Sequence, residues 1–319
     1  MQPFLFLAHV ASQLSRAYFP YDCMQEVEAI EDPLSSAAWI EWVERLYQGS
    51  DPTRKRFARC FSTADSRRVV ALAAATQVQI CADHDISITA VCEPAYPPLL
   101  RHIADPPLCL FTKGDLGVLQ RPQLAVIGSR RCSQKAAYHA YTLGYKAAQC
   151  GISIVSGGAY GCDIAAHQGV LAAGGVPLSA VAVFAGGFPL IGPQGNLRYF
   201  REIESMRGIL LTERLWGTFP TKRDFPVRNR LISGLAPVTV VVQAGLRSGT
   251  MVTAKMALDQ GRELIVFPYE SGDPWAEGNQ NLIEEGADSV ESAEALLRLL
   301  HQREVWGSAP KGARDAALA

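Results

Sequence analysis

The sequence predicts an α/β protein, in which a Rossmann-like, doubly wound and mostly parallel sheet is preceded by a small helical N-terminal domain. Three observations support this fold class. From Leu124 onward, near-continuous apolar runs alternate with helical segments, which is the pattern of parallel strands covered on both faces. Residues 1–95 instead carry apolar positions three and four apart, as helices do. The chain of 319 residues is 48% hydrophobic with a net charge of −1, which excludes a largely disordered protein.

The N-terminal region, residues 1–95, is expected to be a helical domain. Its apolar first segment lacks the basic region and the cleavage site of a signal peptide, so we interpret it as a core helix. Further helices are predicted over residues 39–48 and 66–86. Residues 96–120 are rich in proline and are predicted to be a linker that leads into a strand around residues 108–112.

Residues 121–302 are predicted to form the Rossmann-like domain, and residues 303–319 a frayed C-terminal tail. The predicted strands are residues 124–128, 152–158, 179–187, 208–213, 238–244 and 263–268. The predicted helices are residues 133–151, 163–175, 224–235, 250–261, 279–286 and 291–302. Sheets of this type bind ligands at the carboxyl ends of their strands. The residues that follow these strands are therefore the first candidates for a binding site.

Composition argues against several classes of protein. The sequence has no run of about 18 apolar residues, so neither a membrane span nor a membrane partner is expected. Its eight cysteines include no CxxC pair, which predicts reduced, mostly buried thiols in a cytoplasmic protein. The six histidines show no metal-ligand spacing, and neither a metal nor a cofactor is expected.

The near-zero net charge conceals an uneven distribution. Residues 121–147 hold five basic side chains and no acid, and residues 198–230 hold eight basic and four acidic ones. Residues 270–294 hold eight acids and no base. The pattern is compatible with a phosphate-attracting face. On charge alone, randomly placed solvated surfaces are the better interpretation, because the whole chain is not strongly basic.

The first candidate site follows the strand predicted over residues 124–128. Gly128, Ser129, Arg130 and Arg131 stand between this strand and a helix. Backbone N–H groups at a helix start attract anions, and the two arginines add charge-assisted hydrogen bonds. These residues therefore favour a phosphate site over a plain turn with two exposed arginines.

The second candidate site is the glycine-rich stretch after the next predicted strand. Ser156 and Gly157 begin it, Tyr160 lies within it, and Asp163 is placed to cap the following helix. The stretch is not the GxGxxG motif, and no acid follows the strand to hold a ribose, so nicotinamide binding is disfavoured. Tyr160 either stacks on a base or packs against the protein.

The third candidate site is formed by Ser248, Gly249 and Thr250. They follow an apolar strand and stand at the start of the helix predicted over residues 250–261. Small hydroxyl residues in this position either bind a phosphate or cap the helix, and the sequence alone does not separate the two.

The most unusual stretch covers residues 220–235 and reads PTKRDFPVRNRLISGL. Its basic residues surround an aromatic ring at the start of a helix, and cations for phosphates with a ring for base stacking are what single-stranded nucleic acids require. The alternative is a solvated helix face with the ring in the core. The candidate binding residues are Lys222, Phe225, Arg228, Asn229 and Arg230.

Arg228 and Arg230 lie two positions apart, so they cannot share one face of a helix. At least one of them is expected to turn inward toward a carboxylate such as Glu213 or Asp224. An inward arginine of this kind stabilises the fold by pairing with the carboxylate.

Five ordered motifs carry a resemblance to a known family. They read IGSRR, IVSGGAYGCDIAAH, FPVRNRLISGL, VVVQAGLRSGTMVTA and GRELIVFP. With the upstream stretch AYPPLLRHIADPPLCLFTKGDL they cover about residues 95–288. In this order they resemble the DprA/Smf family of DNA-processing proteins. The N-terminal helices match the small leading domain of that family by position only.

The resemblance implies a Rossmann-like, non-enzymatic protein that binds single-stranded DNA and has no catalytic residues. It also implies protection of incoming DNA in natural transformation and recombination, loading of the RecA recombinase, and action as a homodimer. By position, the family's phosphate cradle, its cation and stacking ring, and its RNR segment fall on Gly128, Ser129 and Arg130, on Lys222 and Phe225, and on Arg228, Asn229 and Arg230.

The sequence departs from the family pattern in three places. The second loop usually reads SGLARGID and here reads SGGAYGCD, with Tyr160 in place of an arginine and Gly158 in place of a leucine. A Tyr-Pro pair is replaced by Gly192 and Pro193, ahead of Asn196. The winged-helix domain of many members is not expected after the last helix. At Tyr160, one basic contact of the family is lost or replaced by stacking.

The main alternative is a nucleotide-binding protein or a phosphoribohydrolase-like enzyme of a related Rossmann-like family. Such enzymes carry a PGGxGTxxE loop whose glutamate helps catalysis. The corresponding stretch here, AGLRSGTMVTA, has no carboxylate after Gly249 and Thr250. Neither Glu213 nor Asp163 has an evident acid–base partner. A DNA-binding protein without catalytic activity is therefore preferred, and a nucleotide sensor without a DNA role is the third possibility.

Overall fold

The computed structural model describes residues 3–15, 52–189, 192–270, 273 and 275–306. Within these residues, nine strands form one sheet: β1 (Ser87–Ala90), β2 (Cys109–Lys113), β3 (Gln123–Ile127), β4 (Ser153–Ser156), β5 (Ala180–Phe184), β6 (Ile209–Thr212), β7 (Val238–Val241), β8 (Glu263–Val266) and β9 (Asp288–Ser289). The helices of the same residues are α1 (Pro3–Ser15), α2 (Pro52–Arg59), α3 (Ala64–Asp83), α4 (Pro98–Arg101), α5 (Gln134–Gln149), α6 (Cys162–Ala173), α7 (Leu197–Ser205), α8 (Asp224–Leu235), α9 (Gly249–Asp259), α10 (Glu277–Glu284) and α11 (Ala293–Gln302). The helix predicted over residues 39–48 and the tail from residue 307 lie outside the described residues.

The sheet is doubly wound, as predicted. Its strand order is β1-β2-β6-β5-β4-β3-β7-β8-β9, and β3 to β9 pair in parallel. From β3 the chain builds the sheet toward β6 on one side, and then toward β9 on the other. The strand order therefore reverses between β3 and β7, and a doubly wound sheet binds its ligand at such a reversal. The predicted α/β, Rossmann-like fold class is confirmed.

The central strands are buried on both faces. Every residue of β3, β4, β5, β6 and β7 is buried. Since successive side chains of a strand point to opposite faces, helices must cover both faces of this part of the sheet. This explains why the sequence shows near-continuous apolar runs here instead of alternation.

Residues 1–95 are predicted to be helical, but part of this region forms a strand at the edge of the sheet. Ser87–Ala90 form β1, which pairs antiparallel with β2, and β2 pairs antiparallel with β6. β1 is short and half exposed, so it carries no long apolar run that would reveal a strand. The strand expected around residues 108–112 is present as β2. The domain division itself remains a prediction.

The first helix is part of the core, as its apolar sequence predicts. Phe6, Val10 and Ala11 of α1 are buried. The ring of Phe6 meets the ring of Phe111 in β2 edge to face, with 6.3 Å between centroids. Helix α1 is therefore packed against the antiparallel edge of the sheet.

Other general properties follow from the described residues. Among their helices, none combines the length and the apolar character that a bilayer crossing needs. Their seven cysteines are free thiols, and four of these are buried. The same residues contain no group of three or more side chains arranged to hold a metal ion.

Two buried histidines make stability depend on pH. Burial lowers the pKa of His9 and of His167 from 6.5 to about 4. Between these values the unfolded chain binds more protons than the folded one, so the folded state loses stability as the pH falls from 6.5 to 4. Burial raises the pKa of Asp163 to about 6, so this carboxyl takes up its proton in the folded state first and partly offsets the loss.

Replacing His167 with leucine is expected to reduce the acid sensitivity. For each buried histidine, the free energy of unfolding falls by on the order of 3 kcal/mol as the pH drops from 6.5 to 4. Urea denaturation between pH 7 and pH 4.5 measures the effect, and the variant should lose less unfolding free energy than the wild type. His301→Leu is the control, because His301 is exposed. Equal losses in His167→Leu and wild type would contradict the assignment.

Candidate functional site

The site lies at the carboxyl ends of β3 and β7, where the strand order reverses. A cavity of about 450 Å³ opens there, which we call the strand-end cavity. A second cavity of about 280 Å³ adjoins it and is called the Tyr160 cavity. The strand-end cavity brings together ten of the residues predicted from sequence: Gly128, Ser129, Arg130, Arg131, Phe225, Arg228, Asn229, Ser248, Gly249 and Thr250. The Tyr160 cavity adds Gly157 and Tyr160.

Three predicted residues line neither cavity. The hydroxyl of Ser156 is buried and donates a hydrogen bond to the carbonyl oxygen of Val126 at 2.7 Å. Arg230 is buried and bonds to the carboxylates of Asp105 and Glu213. Lys222 is exposed just before α8. Ser156 and Arg230 therefore support the framework of the site and do not form its surface.

The loop after β3 is held by the end of β7. The backbone N–H of Ser129 donates to the carbonyl oxygen of Gln243 at 2.7 Å. The Gln243 side chain accepts from the N–H of Ser133 at 2.8 Å, and Ser133 caps α5 as predicted. The Ser129 hydroxyl bonds to both the N–H and the carbonyl oxygen of Arg131, at 3.3 and 2.9 Å. The hydroxyl of Ser129 thus shapes the loop, and the loop is fixed before any ligand arrives.

Arg130 and Phe225 stand together between the two cavities. The guanidinium carbon of Arg130 lies 5.2 Å from the centroid of the Phe225 ring, which is a cation–π contact. Both residues line both cavities. Arg130 is exposed and Phe225 is half-buried, so part of the Phe225 ring faces the cavities.

Arg228 forms a buried wall common to both cavities. Its Nη1 donates to the carbonyl oxygen of Gly157 at 2.9 Å and to the carbonyl oxygen of Val183. A Cβ atom on Gly157 would lie 2.5 Å from this nitrogen, so only glycine allows the approach. Burial lowers the pKa of Arg228 to about 10, while the charge of Asp163 raises it. The guanidinium therefore remains a fixed positive charge at neutral pH.

Arg230 is turned inward, as predicted for at least one arginine of this helix. It donates through Nη2 to Glu213 and through Nε to Asp105, each at 2.7 Å. Burial by itself would lower the pKa of Arg230. The charges of Glu213 and Asp105 outweigh burial, so the pKa of Arg230 is raised overall. Asp224, the other carboxylate considered, pairs instead with Arg214 at 2.6 Å.

The start of α9 shows one of the two roles left open by the sequence, the helix cap, and phosphate binding there stays a prediction. The Ser248 hydroxyl caps the helix by accepting from the N–H of Met251 at 3.4 Å. Ser248, Gly249 and Thr250 also line the strand-end cavity. The first turns of α6 and α8 also line this cavity, and the N-terminal dipoles of these helices favour an anion there.

Two exposed aromatic residues flank the cavities. Tyr160 is 48% exposed, and its hydroxyl accepts from the N–H of Gly195 at 3.3 Å. Trp275 is 55% exposed and lines the strand-end cavity. Sequence reasoning missed Trp275, because it is a lone ring in an acidic segment. The one sequence feature that could have indicated it is an aromatic residue in the segment that follows a predicted strand.

The cavities offer little acid–base chemistry. Among the described residues that line them, Asp163 is the one carboxylate, and it accepts from the N–H of Ala159 at 3.3 Å. The first turn of α9 holds no acid, where the phosphoribohydrolase loop has its glutamate. A paired acid and base, which hydrolysis of a glycosidic bond requires, is not formed by these residues.

The fold and the site together define a Rossmann-like protein with an anion-attracting cavity at the reversal of its strand order. Comparison with known proteins identifies the group to which it belongs. The model of the DNA recombination-mediator protein A family matches residues 87–301. The chain belongs to this family, and the resemblance seen in the sequence is confirmed.

Individual relatives agree with this assignment. The chain is 39% identical to the Smf protein of Escherichia coli over 205 residues, which cover 64% of this chain and 54% of that protein. It thus spans about half the length of that relative. It is 36% identical to the DNA processing protein DprA of Bacillus subtilis over 229 residues, which cover 72% of this chain and 76% of that protein.

Solved structures show the same fold. The crystal structure of DprA from Streptococcus pneumoniae matches with a TM-score of 0.66 at 29% identity, over 81% of this chain and 89% of that one. The structure of DprA from Helicobacter pylori matches with a TM-score of 0.62 at 30% identity, over 68% of this chain and 96% of that one. The latter is described as binding single-stranded DNA.

Proposed function

We propose that this chain binds single-stranded DNA across the strand-end cavity and the Tyr160 cavity, and that it acts as a recombination mediator without catalytic activity. The observation that carries the proposal is the contact between Arg130 and Phe225, two residues that line both the strand-end cavity and the Tyr160 cavity. It offers one cation for a phosphate and one ring for a base at the same point, which is the combination a single strand requires.

The surroundings of this contact support the proposal. The loop after β3 and the start of α9 line the strand-end cavity, where the helix N-terminus favours an anion, and Arg131 adds a second exposed cation. Each cavity also has a second aromatic ring, Trp275 in the strand-end cavity and Tyr160 in the Tyr160 cavity. Rings that are exposed in the free protein have no packing role that burial would explain, and every base has a face on which they can stack.

The family supports the remaining parts of the proposal. The Helicobacter pylori relative binds single-stranded DNA, and the family is described as a recombination mediator. We propose that this chain likewise protects incoming DNA and loads the RecA recombinase in transformation or recombination, and that it does so as a homodimer. Light scattering of the purified chain tests the dimer, and strand-exchange assays with RecA on SSB-coated DNA test the loading.

Fluorescence anisotropy tests the binding proposal directly. Labelled oligo-dT of increasing length is titrated with protein at two salt concentrations, with duplex DNA and ATP as competitors. We expect affinity to grow with strand length and to fall with salt, because phosphate contacts release counterions. Neither duplex DNA nor ATP should displace the strand. Failure to bind at any length, or displacement by ATP, would refute the proposal and favour a nucleotide ligand.

Replacing Phe225 with alanine is expected to weaken binding of oligo-dT by about 1–3 kcal/mol, because the ring no longer stacks on a base. The matched control is Phe219→Ala, since Phe219 is 74% exposed and lines neither cavity. Thermal unfolding is measured in parallel. A large drop in melting temperature with unchanged affinity would show instead that Phe225 serves the core.

A further inference from the structure

A second contact between a cation and an aromatic ring lies on α7, outside the two cavities. The guanidinium carbon of Arg198 lies 4.4 Å from the centroid of the Tyr199 ring. An Nη2–H group of Arg198 also donates a hydrogen bond to the Tyr199 hydroxyl. The same hydroxyl accepts a hydrogen bond from the side-chain amide of Gln168 on α6. The pair therefore joins α7 to α6, and it repeats the combination of cation and ring that lines both cavities.

Two hydrogen bonds tie the start of α7 to the loop that carries Tyr160. The N–H of Gly195 donates to the Tyr160 hydroxyl at 3.3 Å. The side-chain amide of the buried Asn196 donates to a backbone carbonyl oxygen of the same loop at 3.0 Å. Pro193 lines the Tyr160 cavity, and Arg198 follows it by five residues, in the first turn of α7. Five residues of a 3₁₀ turn and a helix advance by about 10 Å at most, so Arg198 stands beside the rim of the Tyr160 cavity.

The charge of Arg198 faces solvent. The residue is exposed, and none of the ion pairs that the described residues form includes it. The first turn of α7 holds no acid, and the N-terminus of a helix favours an anion. The ring and the hydroxyl of Tyr199 hold the guanidinium in one position. Arg198 thus offers a phosphate a cation whose position is already set.

We propose that Arg198, held by Tyr199, binds a phosphate of the single DNA strand where the strand leaves the Tyr160 cavity. This inference rests on the proposed function, because it extends the path of the same strand. Arg198 is the binding residue, and Tyr199 is a positioning residue that acts through it. A short strand fills the cavities without reaching Arg198, whereas a longer strand reaches it. The site therefore adds affinity only for strands above a threshold length.

Fluorescence anisotropy with labelled oligo-dT of increasing length tests the proposal on Arg198→Ala. The variant should bind the longest strands roughly tenfold more weakly than the wild type, because one charge-assisted hydrogen bond is lost. On these strands its salt slope should fall by about one. The shortest strands that the wild type binds should be bound equally well by the variant. Arg201→Ala is the matched control, since it removes an exposed arginine one turn further along α7 and should leave the affinity unchanged at every length.

Variants of Tyr199 test its positioning role. Tyr199→Phe removes the hydroxyl and Tyr199→Ala also removes the ring, but neither changes the net charge. The affinity of Tyr199→Ala for the longest strands should fall by about threefold, because the unsupported guanidinium of Arg198 takes other positions. The salt slope should stay as in the wild type, since the phosphate contact is still made. A merely structural role would instead lower the affinity for all lengths alike. If Tyr199→Ala fails to fold by circular dichroism, Tyr199→Phe decides, with a smaller loss confined to the longest strands.

The possible failures are distinguishable. If Arg198→Ala binds every length as the wild type does while Arg130→Ala binds all lengths more weakly, this inference is wrong and the proposed function stands. Equal losses in Arg198→Ala and Arg201→Ala would also overturn it, because they would show a diffuse effect of charge. A lower melting temperature of Arg198→Ala with unchanged affinity would show that the pair only joins α7 to α6. A wild type that binds no strand of any length would refute the proposed function and this site together.

Discussion

Replacing Arg130 with alanine is expected to weaken the binding of single-stranded oligo-dT by roughly tenfold to a hundredfold, since a hydrogen bond to a charged group is worth about 1.5–3 kcal/mol. The guanidinium is exposed, lines both cavities and contacts the Phe225 ring. Its loss would remove the proposed phosphate contact and loosen the ring that is proposed to stack on a base. The slope of log Kd against log salt concentration should also fall by about one, because one phosphate contact is lost.

The control for this variant is Arg68→Ala. Arg68 is an exposed arginine of α3 that lines neither cavity. It should leave both the affinity and the salt slope unchanged. If Arg130→Ala and Arg68→Ala behave alike in the anisotropy titration, the cavity is not where the strand binds.

The contact between Arg130 and Phe225 also predicts non-additivity. Residues in direct contact usually show a coupling energy of about 0.5–3 kcal/mol in a double-mutant cycle. The double variant should therefore lose less affinity than the sum of Arg130→Ala and Phe225→Ala. Strict additivity would mean that the strand uses the cation and the ring at separate places.

Replacing Arg230 with methionine is expected to cost about 3–5 kcal/mol of stability, because removing one partner leaves a buried charge uncompensated. Glu213 is 6% exposed and would lose its ion pair at 2.7 Å. For a domain of this size, each kcal/mol lowers the melting temperature by roughly 2–4 °C. Calorimetry of the variant measures the shift, and Lys222→Met, an exposed cation just before the same helix, should leave the melting temperature nearly unchanged.

A double variant separates the charge effect from lost packing. Arg230→Met combined with Glu213→Leu removes both buried charges, and apolar replacement of a whole buried pair is often neutral. The double variant should therefore recover much of the lost stability, since Asp105 has a 43% exposed side chain that water can solvate. A double variant less stable than Arg230→Met would show that the ion pair is not what the single variant disrupts.

Most of the fold could be predicted from the sequence, because the central strands are buried on both faces and their apolar runs are long. The exceptions lie at the edge of the sheet. Ser87–Ala90 form a strand of only four residues that runs from an exposed to a buried end without alternation, and β9 has only two residues, both exposed. Such strands exist because a neighbouring strand offers hydrogen bonds, which no local pattern reveals.

The site could be predicted less completely, because residue type does not give side-chain direction. Ser156 is a serine at a strand end like those that bind phosphate, yet its hydroxyl points to Val126 of the neighbouring strand. Arg230 is a cation beside the cavity residues, yet it faces Glu213. Trp275 carries no motif and reaches the cavity only because the fold brings residues far apart in sequence to the same edge of the sheet.

The buried wall between the cavities has a consequence for the entropy of binding. Arg228 is already held by the carbonyl oxygens of Gly157 and Val183, so its side chain has no rotamer freedom left to lose. An exposed arginine such as Arg130 surrenders up to about 2 kcal/mol of such freedom when a ligand orders it. A ligand that reaches Arg228 thus meets a charge that is preorganised by folding, and the ordering cost falls on the folding of the protein instead of on each binding event.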